Sequence, residues 1–163
     1  MRNRTNSPAI AGWALGLALA LVVGAALPAW SAGSCTAKIE SKGQGAYRDI
    51  TFRWTSDAFG NVSGACSVLV YGLLDSVYFE SDADAPPTDL YDVQVLSAGG
   101  ENLLDNGVTD YGANVPSNNA SPLRRRLVLS SSHNYIRIFD EYLSISISGA
   151  GDTKKGVVKL RVW

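Results

Sequence analysis

The stretch LSISISGAGDTKKGVVKLRV, Leu143 to Val162, decides the fold class. Leu143, Ile145 and Ile147 alternate with serines, which puts three apolar side chains on one face of an extended strand. Gly149 to Gly156 (GAGDTKKG) supplies turn chemistry. Val158, Leu160 and Val162 then alternate with Val157, Lys159 and Arg161 as a closing strand. Two alternating runs on either side of a Gly-rich turn predict a terminal β-hairpin.

Working towards the N-terminus, the same period recurs. Tyr91, Val93 and Val95 alternate, and so do Ile50, Phe52 and Trp54 against Thr51, Arg53 and Thr55. An extended region runs from Val68 through Val70, Tyr71, Leu73, Leu74 and Val77 to Phe79, and shorter ones are expected at Leu127 and Leu129 and at Ile136 and Ile138. Asp57 to Asn61 reads as a turn. Ser81 to Asp89 must be a loop, because Pro86-Pro87 suits neither a helix interior nor a paired central strand. From Glu101 to Pro122 periodicity fails, and a loop of that length is functional or poorly ordered. No amphipathic helix of three turns is present. The expectation is an all-β fold, an antiparallel β-sandwich of seven or eight strands, immunoglobulin-like or jelly-roll-like, with a small barrel as the alternative.

The chain opens differently. Arg2 and Arg4 precede an uncharged apolar run of 18 residues, Ile10 to Leu27, followed by Pro28 and the small residues Ala29, Ser31, Ala32 and Gly33. This predicts a secretory signal peptide, residues 1–31, forming an N-terminal signal helix ahead of a single domain at residues 32–163. An uncleaved membrane anchor is the alternative. Loss of Arg2 and Arg4 would leave 12 basic and 15 acidic residues, a net charge of −3. An acidic balance argues against nucleic acid as a partner. The two cysteines, Cys35 and Cys66, read as one disulfide in an exported chain.

Candidate sites are few. The single histidine, His133, lies in a polar turn (Ser130-Ser131-Ser132-His133-Asn134), where a solvated side chain is the expectation. No GxSxG, HExxH or phosphate loop occurs. Asp140 and Glu141 are adjacent, so on a regular strand they point to opposite faces. Asp82, Asp84 and Asp89 share one loop and are the only calcium candidates, against a reading as solvating acids around the two prolines. Arg124-Arg125-Arg126 could meet an acidic partner, but an edge strand blunted against aggregation needs no ligand. Tyr71, Tyr78, Phe79 and Tyr91 are candidates for a sugar-stacking platform, with half-buried sheet positions as the alternative. Asn61-Val62-Ser63 and Asn119-Ala120-Ser121 match the glycosylation sequon.

Three stretches carry a resemblance: Ile50 to Gly64 (ITFRWTSDAFGNVSG), Ala85 to Val95 (APPTDLYDVQV) and Ser146 to Val162 (SISGAGDTKKGVVKLRV). They resemble small β-sandwich proteins encoded in the structural-gene clusters of tailed bacteriophages and prophages, in which a "WTSDANG" turn, an "APTDxYDVxL" strand, a "GANxxN" loop and a "GAGNAKxGxVxLY" hairpin follow in order. Tyr111-Gly112-Ala113-Asn114 is similar to that loop. The resemblance implies a virion component or related structural protein and carries over no catalytic residue. The export signal and the cysteine pair depart from it.

The resulting expectation is a non-enzymatic structural or binding protein without a cofactor, exported to a periplasmic, extracellular or cell-surface location, or part of a virion where the resemblance holds. Its contacts would be a protein partner or a surface glycan, with membrane contact only through an uncleaved signal segment. Its variable surface would be the 101–122 loop and the Ser81–Asp89 loop. A secreted carbohydrate- or cell-surface-binding module is the alternative.

Overall fold

Alternation of side chains becomes strand pairing through most of the described residues. Residues 33–105, 110–117, 123–126 and 136–163 are described in this computed structural model. The expected signal segment, His133, the strand expected around Leu127 and Leu129, and the sequon at Asn119 lie outside the described residues. Among those described there are seven strands: β1 (Ser34–Lys42), β2 (Tyr47–Thr55), β3 (Val62–Ser81), β4 (Asp92–Leu96), β5 (Leu123–Arg126), β6 (Ile136–Ser148) and β7 (Lys155–Val162). All pairings are antiparallel, in the order β1-β2-β7-β3-β6-β4, with β5 beside β3. The fold is therefore all-β. The strands belong to one continuous sheet that curls over on itself as a half-barrel.

The curl comes from β3. Its first part, Val62 to Leu74, pairs with β6, and its last part, Leu74 to Ser81, pairs with β7. The strand bends at Gly72, whose φ of 133° suits glycine, and where a Cβ would lie 2.3 Å from the Trp163 carbonyl oxygen. Asp75 adds one residue opposite the Val162–Arg161 step, a bulge that increases local twist. The inner faces of β2, β7, β4 and β6 consequently meet in one core. Phe52, Trp54, Val158, Leu160, Val93, Val95, Leu143, Ile145 and Ile147 are all buried there. Each such side chain contributes about 1.5–3 kcal/mol of burial.

The terminal hairpin expected from Leu143 to Val162 does not form. β6 pairs with β3 and β4, while β7 inserts between β2 and β3. The Gly149–Lys154 connection is an arch between the two walls. It seats on the Asp57–Asn61 turn, where Ala150 donates its N–H to the Gly60 carbonyl at 3.0 Å. Ser56 Oγ donates to the Gly151 carbonyl at 2.6 Å and accepts the Lys154 N–H at 2.8 Å. Alternation specifies which face of a strand is buried, and it leaves the neighbour open.

Where a functional or poorly ordered loop was expected, the described residues 101–105 and 110–117 cover the edge of β4. Leu103 donates to the Val95 carbonyl (2.8 Å), Val93 to that of Gly112 (2.9 Å), and Val115 to that of Tyr91 (2.7 Å). Leu104 and Val115 are buried in the core. Gly112 is required for the close approach, since a Cβ there would fall 1.7 Å from the Val93 oxygen.

Cys35 and Cys66 are bonded, with Cα atoms 5.4 Å apart. Cys35 stands opposite Trp54 in the β1–β2 register. Cys66 sits where three β3 residues face one β6 residue, a large bulge containing Gly64 at φ 59°. The bridge holds the start of β1 against the first part of β3.

Candidate functional site

Among the described residues, the outer face of β3 and β6 presents the most exposed apolar surface on the strands. Leu69 and Tyr142 are directly paired across the two strands, and Tyr71 follows Leu69 on the same face. Their exposures are 43%, 57% and 62%. The Arg48 guanidinium lies 3.9 Å from the Tyr71 ring centroid and donates to the Tyr71 carbonyl, which fixes the aromatic end of the patch. Leu69 and Tyr142 were not among the residues singled out from sequence. Their signal was parity: Val68 and Val70, and likewise Leu143, Ile145 and Ile147, occupy the inner face, so Leu69 and Tyr142 must point out.

Of the four aromatic residues proposed as a platform, only Tyr71 is well exposed. Phe79 and Tyr91 are core residues at 0% and 1% exposure. Tyr78 is half-buried, with the Arg124 and Arg161 guanidinium groups each 5.4 Å from its ring. Burial pushes the Tyr91 phenol up to about 12.

A second, charged surface lies on the outer face of β1, β2, β7 and β3, around a groove of about 510 Å³. Thr36, Lys38, Thr51, Arg53, Glu80 and Lys159 are among the residues that line it. Glu40 is held between Lys38 (2.6 Å) and Lys42 (2.9 Å), and hydrogen bonds from these two ammonium groups lower its pKa to about 2. The same contact raises Lys42 above the usual lysine range. Asp49, opposite Glu40 in register, is held by Arg161, whose pKa its hydrogen bond raises. Adjacent like charges are thereby separated into two cation-neutralised carboxylates.

The calcium candidates do different work. Asp82 Oδ1 accepts the N–H groups of Asp84 and Ala85, both at 3.0 Å, which makes an Asx turn. Asp89 Oδ1 accepts the Ser117 N–H at 2.9 Å, tying its loop to the 110–117 segment. Among the described residues, no group of three or more His, Cys, Asp or Glu side chains is placed to hold a metal ion.

Asp140 and Glu141 lie on a bulge of β6, with Asp140 at φ 45°, so regular strand alternation fails there. Glu141 Oε1 accepts the Ala98 N–H at 2.9 Å. Within the arginine run on β5, Arg124 turns outward to Asp75 (3.4 Å) and Tyr78. Arg125 donates to the carbonyls of Tyr111 (2.7 Å) and Ala113 (3.2 Å), clamping the 110–117 segment.

No protein-family model, curated protein or solved structure matches this chain.

Proposed function

We propose that the protein is an exported, non-enzymatic surface-contact protein, a disulfide-stapled scaffold whose two walls act as a sandwich and whose β3–β6 outer face holds its partner. The observation that carries this reading is the exposure of Leu69, Tyr71 and Tyr142 together on one rigid face. Supporting it, many of the polar groups that could do chemistry are engaged in structure. Asp57, Asp82, Asp89 and Asp110 each accept backbone N–H groups. The bonded cysteines agree with an oxidising compartment. The likeness to phage and prophage sandwich proteins supports a virion-derived structural ancestor recruited for export.

A glycan is the second reading, favoured by two exposed tyrosine rings on that face. Both are tested by measuring binding of the purified protein to cell envelopes and to a glycan panel, wild type against Tyr71→Ser/Tyr142→Ser. Binding weakened by about tenfold or more at an unchanged melting temperature is expected. Equal binding by the variant would remove the face from consideration. Mass spectrometry of the exported protein should find an N-terminus near Ala32, and an intact Met1 would exclude the cleaved signal.

A further inference from the structure

The two edges of the sheet are treated differently. At one edge, β4 is covered by backbone hydrogen bonds from residues 101–105 and 110–117. At the other, β1 pairs only with β2 among the described residues; its start lies against the first part of β3, and beyond that the strand presents outer N–H and C=O groups to no strand partner. Such an edge is a template for another strand. Lysine on an edge strand ordinarily opposes pairing, but in β1 Glu40 sits between Lys38 and Lys42.

A two-fold axis restricts how β1 can meet a second copy of itself. Directly opposed residues of an antiparallel pair share a face, so the axis must pass through a residue if Ala37 and Ile39 are to stay on the inner side. An axis at Lys38 sets Lys38 against itself. One at Glu40 sets Glu40 against itself and Lys38 against Lys42. An axis at Ile39 sets Lys38 against Glu40 twice, Thr36 against Lys42 twice, and Ile39 against Ile39. Ile39 is 39% exposed on the single chain and would be covered. The junction spans residues 36–42 and leaves the Cys35–Cys66 bridge outside it.

We propose that β1 is a self-pairing edge, joining two copies of this chain antiparallel about Ile39 into one continuous sheet, with reciprocal Lys38–Glu40 pairs setting the register. The occupant is chosen by charge and length: this register opposes unlike charges at both positions flanking the axis and pairs residues 36–42, whereas an axis at Ser41, which also sets Glu40 against Lys42, would pair only residues 40–42 of the strand.

Sedimentation equilibrium of the purified protein from micromolar to millimolar concentration tests it, alongside Glu40→Lys and the exchanged pair Lys38→Glu/Glu40→Lys. The wild type should dimerise. Glu40→Lys sets lysines against lysines and should weaken association by about tenfold or more. The exchanged pair should restore it, which a purely structural role for either residue would not do. Hydrogen exchange on the wild type gives a readout free of variants, with β1 amide protection rising with concentration. A wild type that stays monomeric throughout, or a Glu40→Lys variant that associates equally well, overturns the proposal. An exchanged pair that stays monomeric overturns the register.

Discussion

Arg161 and Asp49 are direct cross-strand partners on β7 and β2, joined by two hydrogen bonds, Nε to Oδ1 at 3.0 Å and Nη2 to Oδ2 at 3.3 Å. Asp49 is buried, and the guanidinium also lies 4.3 Å from the Tyr47 ring centroid. The pair ties the centre of the charged face to the strands beneath it.

Asp49→Ala should therefore cost about 2 kcal/mol, because it leaves the partly buried Arg161 cation without its carboxylate partner. Urea denaturation of the variant measures this directly. An unchanged midpoint would mean that solvent screens the pair fully.

Reduction of Cys35–Cys66 should destabilise the fold. Their separation is 31 residues. The chain-entropy relation then gives about 3–4 kcal/mol. Denaturation midpoints with and without reductant, and for Cys35→Ser/Cys66→Ser, should fall together. A fall seen only with reductant would point to an effect outside this bond.

Gly112→Ala should displace the segment that covers β4, since the added methyl meets the Val93 carbonyl. A loss above about 2 kcal/mol is expected from overpacking at a buried backbone contact. Amide exchange at Val93 and Val115 should rise more than at β7, which is remote from the contact. Uniform exchange changes would argue against a local edge cover.

Tyr91 makes an alkaline prediction. Its folded-state pKa is raised from 10.0 to about 12 by burial, so the neutral phenol is favoured in the folded state. Its contribution to stability is full below pH 10 and is lost as pH rises through about 12. Tyr91 Oη has no hydrogen-bond partner among the described residues, so Tyr91→Phe should stay within about 1 kcal/mol of wild type at neutral pH. The variant should also lose the steepest part of the alkaline unfolding. Spectrophotometric titration should show a late-titrating tyrosine in the wild type that is absent from the variant.

Much of the fold was legible because a half-buried strand writes its inner face at every second residue. Ile50, Phe52 and Trp54, Val93 and Val95, and Leu143, Ile145 and Ile147 all lie in the core. β1 was harder to read, since its inner face offers only Cys35, Ala37 and Ile39. The described part of the 101–122 segment was hard to read for a related reason. Leu104 and Val115 are core residues, but they sit in turns without a period. At the candidate site, Tyr71 was recognised as a residue type, and its exposure followed only from which face of β3 turned inward.

The sequence by itself determined that the chain is built of strands, where the turns fall, and which cysteines were available to pair. These are local matters, set by side-chain period and by backbone freedom at Gly, Pro and Asp. Tertiary structure alone decided that β7 lies between β2 and β3, that residues 101–105 and 110–117 guard one edge while β1 is the other among the described residues, and that Leu69, Tyr71 and Tyr142 share an outer face. Strand neighbours are chosen by how the curled sheet closes its core, and many pairings satisfy one alternating pattern equally well.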